Sequence, residues 1–158
     1  MHVNACWYRD GIHSYDNIHI ATAVDTPDGL LAPVVRDVDR LALHQIADRT
    51  RQLVAQARCG QLSQNQLSGG TFTISNLGMY GIDTFTPVLN LPQAAIFGVG
   101  RIVEEPVVRN GQLAIENMMT LSLTFDLRPS SHRRRPRCPL VATHLRTSSD
   151  AQPVMTLG

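Results

Sequence analysis

The chain has 158 residues, 43% of them hydrophobic and 17% charged, with a formal net charge of +1. That length supports one domain with a real core, and the near-neutral balance argues against a nucleic-acid binder or a trap for acidic ligands. No apolar run reaches the ~20 residues of a membrane span, and Met1–Asp10 lacks the apolar centre of a signal peptide, so a cytoplasmic setting with no membrane partner is expected. Cys6, Cys59 and Cys138 are odd in number and scattered, which excludes a disulfide framework and gives no metal-ligand spacing.

In chain order, residues 1–16 are mixed and carry one Trp and two Tyr. Asn17 to Asp25 reads as a strand whose alternation points Ile18, Ile20 and Val24 inward. Thr26-Pro27-Asp28-Gly29 is a turn, because Pro presets φ and Gly tolerates positive φ. Leu30 to Val35 then completes a hairpin. Leu41 to Arg58 is the clearest helix: Leu43, Ile46, Ala47, Leu53, Val54 and Ala57 fall near helical spacing, and Gly60 stops it. Its polar face shows no strong i,i+4 ion pair.

Thr71 to Ser75 is a β-branched strand after Ser68-Gly69-Gly70, followed by a Gly-rich loop from Asn76 to Asp83. Ala94 to Val99 is a short apolar run of the kind a buried strand shows. Val103 to Arg109 and Gln112 to Glu116 flank Asn110-Gly111, a strong hairpin signal. Met118 to Phe125 alternates as a further strand. Strands joined by hairpins, with one good helix, predict an α+β fold with a mixed or antiparallel sheet.

Charge divides the chain. Residues 1–126 hold 8 Arg and 12 acids, whereas residues 127–158 hold 6 Arg and 1 acid. The second part, with Arg133-Arg134-Arg135-Pro136-Arg137, has the composition of a basic, disordered tail. All 14 basic residues are Arg, the mark of G+C-rich coding.

The motif of most interest is Gly69-Gly70-Thr71-Phe72-Thr73-Ile74-Ser75-Asn76-Leu77-Gly78. It is neither a dinucleotide fingerprint nor a phosphate loop. A hydroxyl at the end of a strand, beside a flexible loop, can donate to a developing oxyanion, which singles out Ser75. By pattern alone, the same stretch is also any strand between two Gly turns.

Four ordered segments give the chain a resemblance. The stretch Gly69 to Gly78 is similar to a hallmark of the dihydrolipoyl acyltransferases of 2-oxo-acid dehydrogenase complexes. Asn90-Leu91-Pro92-Gln93-Ala94-Ala95-Ile96-Phe97-Gly98-Val99-Gly100 resembles a second, Asn17 to Asp39 a third, and Met118 to Asp126 the strand that enters the family's catalytic motif. The resemblance implies a partial catalytic domain over residues 1–126, with a chloramphenicol acetyltransferase-like two-layer mixed sheet and packed helices, and a non-family tail over 127–158. It implies a homotrimer or larger core with active sites at subunit interfaces. Partners would be the dehydrogenase and dihydrolipoamide dehydrogenase components, with no nucleic acid.

The implied reaction moves an acyl group, most often acetyl judging by Leu77 to Ile82, between dihydrolipoamide and coenzyme A, both as substrates and with no metal. A histidine takes the proton of the attacking thiol and a hydroxyl stabilises the oxyanion. Ser75 matches that hydroxyl, Phe97 a residue of the substrate channel, and Asn76 a neighbouring contact. The family motif Asp-His-Arg-x-x-Asp-Gly appears here as Asp126-Leu127-Arg128-Pro129-Ser130-Ser131-His132. Asp126 and Arg128 are retained, but Leu127 stands where the catalytic His belongs, and leucine accepts no proton. The chain as written is therefore expected to be impaired or inactive, with a catalytically dead assembly module as the alternative. His132, after a Pro and beside an arginine run, is read as a tail residue. The coincident loss of motif and period predicts a changed reading frame just after Asp126.

Overall fold

A computed structural model describes residues 4–8, 11–126 and 140–148. In chain order the elements are β1 (Ala5–Tyr8), β2 (Gly11–Ser14), β3 (Ile20–Thr22), β4 (Val24–Thr26), β5 (Gly29–Leu31), β6 (Val34–Val35), α1 (Leu43–Arg58), β7 (Phe72–Asn76), β8 (Ala95–Arg109), β9 (Gln112–Asp126) and β10 (Leu140–Ser148). The principal sheet has six strands in the order β10-β9-β8-β7-β3-β6. β7 runs parallel to both β3 and β8, and the remaining pairings are antiparallel. This is the mixed sheet, within an α+β architecture, that the sequence predicts.

Small side chains build the core. Ala5, Cys6, Ala21, Val34, Val35, Ala94, Ala95 and Ile96 are buried where β1, β3, β6 and the start of β8 converge. Cys6 also bridges to Gln93, and Ala94 donates its N–H to the Ala5 carbonyl at 3.1 Å. Thr26-Pro27-Asp28-Gly29 turns as expected, joining β4 to β5 with Thr26 opposite Gly29. Asn110 and Gly111 take φ of 52° and 79° and close the β8–β9 hairpin, the conformation for which this dipeptide is selected.

The helix lies within the predicted span and packs toward β4 and β6. Ala42 offers no side-chain acceptor to its first turn, although its own N–H donates to Gln45 Oε1 at 2.9 Å. The polar face does carry one exposed pair, Asp48 with Arg51 at 3.2 Å, of a kind worth little in water.

Several expectations need correction. Leu43 is 82% exposed and Ile18 38% exposed, so neither reaches the core: Leu43 opens the first helical turn, and Ile18 precedes the strand that begins at Ile20. The predicted Leu30–Val35 strand is divided at Pro33 into β5 and β6. The separate runs Ala94–Val99 and Val103–Arg109 form one 15-residue strand with an irregularity between Val99 and Ile102. Residues 1–16, read only as mixed, contain the β1–β2 hairpin. Within the tail expected to be disordered, Leu140–Ser148 forms β10, paired with β9 from Asp126 to Met118. That segment is rich in strand formers, which the surrounding Arg, Pro and Ser content masks.

Candidate functional site

Ser75 lies near the C-terminal end of β7, next to the centre of the sheet. In register, Ser75 is opposite Gly98 of β8, which is opposite Ser122 of β9. Residues in such a row share one face. A Cβ at Gly98 would meet the Phe85 ring, with Cζ at 2.9 Å, so a larger residue there must displace the ring. The ring therefore lies over Gly98, on the face that Ser75 shares. Ser75 is half-buried, and its hydroxyl takes no hydrogen bond among the described residues, so it is available to donate.

A buried polar cluster supports this strand. Thr73, two residues before Ser75 and on the same face, donates its hydroxyl to Gln93 Oε1 at 2.5 Å and accepts from Asn90 Nδ2 at 3.2 Å. Thr73 is 2% exposed and Gln93 5%. On β9 the same face continues through Ser122 and Thr124 to Asp126, all buried. Thr124 Oγ1 is buried without a partner among the described residues. After Ser75 the chain turns sharply, since Asn76 Oδ1 accepts the Gly78 N–H at 2.9 Å. The Asn76 side-chain oxygen thus has a structural task, which its position in the sequence motif does not reveal.

The expected site residues do not gather around one point. Phe97 pairs with Ile74 and Leu123, which places it on the face opposite Ser75. Asp126 shares Ser75's face but lies at the other end of the sheet, its N–H donating to the Ala94 carbonyl at 2.8 Å. Two strand spacings of ~4.8 Å and four residues of ~3.4 Å set the two backbones roughly 17 Å apart. Leu127 and Arg128 lie outside the described residues. Sequence reasoning missed Phe85, Thr73 and Gln93, whose proximity to Ser75 depends on register and on the path of the loop that precedes Gln93.

Two further groups have settled partners. His19, just before β3, accepts the Asp37 N–H at Nδ1, at 3.0 Å. Tyr15 donates its hydroxyl to Cys6 Sγ at 3.0 Å. Burial, and then the bond to Cys6, push the Tyr15 pKa well above its ordinary range. Among the described residues no group of three His, Cys, Asp or Glu side chains could hold a metal ion, and no helix is long and apolar enough to cross a membrane.

The fold is a mixed six-stranded sheet with Ser75 near the end of its inner parallel strand. The family model for the 2-oxoacid dehydrogenases acyltransferase catalytic domain matches residues 2–131, and the chain belongs to that family. It is 44% identical over 110 residues to the dihydrolipoyllysine-residue acetyltransferase component of the pyruvate dehydrogenase complex of Staphylococcus aureus strain Mu50, covering 70% of this chain and 26% of that protein. Its fold is similar to that of the Azotobacter vinelandii dihydrolipoamide acetyltransferase, with a TM-score of 0.77, 39% identity, and coverage of 80% of this chain and 53% of that one. In that relative, a serine, a histidine and an asparagine were investigated for roles in the catalytic mechanism. A truncated 2-oxoacid dehydrogenase catalytic core from Thermoplasma acidophilum matches with a TM-score of 0.69 and 36% identity, covering 80% of this chain and 56% of that one. The chain thus spans about a quarter of the curated relative's length and about half of the solved cores.

Proposed function

We propose that this chain is a piece of the acyltransferase core of a 2-oxo-acid dehydrogenase complex. Its reaction by descent moves an acyl group, acetyl by preference, between dihydrolipoamide and coenzyme A. The observation that carries this reading is Ser75: in a chain of this family, a hydroxyl without a hydrogen bond among the described residues stands at the end of an inner strand, where the family motif has its oxyanion donor. A donor of this kind is worth on the order of 10²–10³ in rate.

Leu127 occupies the position of the base. With no group to take the thiol proton, transfer is slowed on the order of 10²–10⁴-fold. Asp126 braces the end of β9 through its backbone N–H, and Arg128 is the other retained residue of the family motif. Asn76 and Phe97 stand at the family's substrate-contact positions, but Asn76 Oδ1 is engaged by the Gly78 N–H, and Phe97, on the face opposite Ser75, would line a channel on that side rather than the space around the Ser75 hydroxyl. The roughly 17 Å between Ser75 and Asp126 supports a site assembled from two copies, each lending one end of its sheet, within a trimer or larger core. Such a core works in the cytoplasm with the dehydrogenase and dihydrolipoamide dehydrogenase components. The pyruvate dehydrogenase cubic core, 39% identical to this chain, provides the precedent for assembly.

Acetyl-CoA:dihydrolipoamide transfer by the purified chain tests the reading. Negligible turnover is expected, with a gain for Leu127→His combined with Ser131→Asp. Turnover near that of an intact family member without those changes would refute impairment by Leu127. That same Leu127 favours a second reading, a catalytically dead assembly module, which co-purification with an active core would support. A reading-frame change after Asp126 accounts for the motif loss, and the nucleotide sequence around codon 127 decides it.

A further inference from the structure

β10 lies beyond the family match, which ends at residue 131, yet it joins the principal sheet. Its 9 residues pair with β9 without a shift, from Leu140 opposite Asp126 to Ser148 opposite Met118. Past Met118, toward the Asn110-Gly111 turn, β8 and β9 run on as a two-stranded ribbon. Within the sheet, β9 has β8 on one side and β10 on the other. Successive residues of a strand aim their N–H and C=O groups to opposite sides. Without β10, the backbone groups of every second residue from Met118 to Asp126 would therefore be bare.

An open edge of this kind templates another strand, and proteins blunt such edges with Pro, charge or brevity. β9 uses none of these along the stretch that β10 covers. Met118-Met119-Thr120-Leu121-Ser122-Leu123-Thr124-Phe125-Asp126 contains no Pro and no Arg, and its one charge stands at the end. The opposite edge of the sheet is protected by brevity, since β6 is Val34–Val35 alone. β10 has the devices that β9 lacks. Val141, Thr143 and Thr147 suit a strand, Arg146 places a charge within it, and Pro139 directly precedes it, after Arg133-Arg134-Arg135-Pro136-Arg137.

We propose that β10 is an edge cap carried in cis: it fills the side of β9 on which a strand from another chain would add, and its displacement opens that side to an extended peptide. Residues 127–139 tether the cap to β9. A short tether presents a strand at an effective concentration on the order of mM. A free strand of equal affinity at about 10 μM would then hold roughly 1 edge in 100. Pairing with β10 and strand addition from another chain exclude one another, so the cap sets when this edge is open. The inference goes beyond the acyl-transfer reading and needs no base, substrate or intact motif.

Site-resolved hydrogen exchange of the full chain is the first test. In the wild type, successive β9 amides from Met119 to Phe125 should all be protected, with no alternation of slow and fast. Ala142→Pro combined with Thr143→Pro removes two adjacent N–H groups, one of which must face β9. Every second β9 amide should then exchange quickly. Those bonded to β8, and the amides of β7, should stay slow, which shows that the fold persists. A fluorescent peptide of residues 140–148, followed by anisotropy, should bind this variant roughly tenfold or more tightly than the wild type and should restore the lost protection. Alternating protection in the wild type, a reading that needs no variant to fold, would overturn the proposal. So would a variant whose β9 amides all stay slow, or one that takes up the peptide no better than the wild type does.

Discussion

Replacing Thr73 with Val removes one hydroxyl from the buried cluster behind Ser75 while nearly preserving shape. The hydroxyl donates to Gln93 Oε1 at 2.5 Å and accepts from Asn90 Nδ2 at 3.2 Å. Losing a typical bond costs about 0.5–1.5 kcal/mol, and stranding a buried acceptor adds about 1–3 kcal/mol. Gln93 is 5% exposed, so water cannot readily replace the lost donor, whereas half-buried Asn90 can turn to solvent. The expected loss is about 2–4 kcal/mol, which moves a urea midpoint by roughly 1–2 M at an ordinary slope. Thr73→Ser should recover most of it. Thr73→Val with Gln93→Leu should cost clearly less than the sum of the singles, because removing both partners leaves no orphan. A Thr73→Val loss below about 0.5 kcal/mol, or strict additivity in the double variant, would refute the reasoning.

Other outcomes follow from single contacts. Ala42→Ser supplies the missing side-chain acceptor at the start of α1 and should stabilise the chain by about 1 kcal/mol, read as a rise in melting temperature. Gly100→Ala should abolish folded protein, since its Cβ would lie 2.0 Å from the Asp83 carbonyl oxygen, which is backbone; normal soluble yield would contradict this. Tyr15 keeps its proton in the fold above the pH at which a free tyrosine, with its pKa of 10.0, loses it. Its contribution is therefore complete below pH 10 and declines as pH rises through and beyond it. Tyr15→Phe should flatten that decline in urea titrations, and parallel profiles would exclude the effect.

The legible parts of the fold were those with local signatures. Helical spacing found α1, Asn110-Gly111 found the hairpin, and a β-branched run found β7. The unity of β8 was hidden because the irregularity between Val99 and Ile102 breaks the alternation a strand is recognised by. The ribbon beyond it exposes Val108, Leu113 and Ile115, inverting the usual sense of apolar and inward. The grouping of Ser75 with Phe97 could not be checked from sequence, because a one-residue change of register moves a side chain to the other face. Phe85 carried no signal at all, since its contact with Gly98 depends on how the loop folds back.

The placement of Ser75 and Asp126 at opposite ends of one sheet has a consequence for mixtures. If each site draws its hydroxyl from one copy and its base from the next, a Leu127 copy spoils only the neighbouring site to which it presents its β9 end. Its own Ser75 still serves whatever base the other neighbour brings. Activity in a ring blended with intact relatives would then fall in simple proportion to the dose of this chain, one site per copy. A chain that had to be whole in every copy would instead silence the ring steeply.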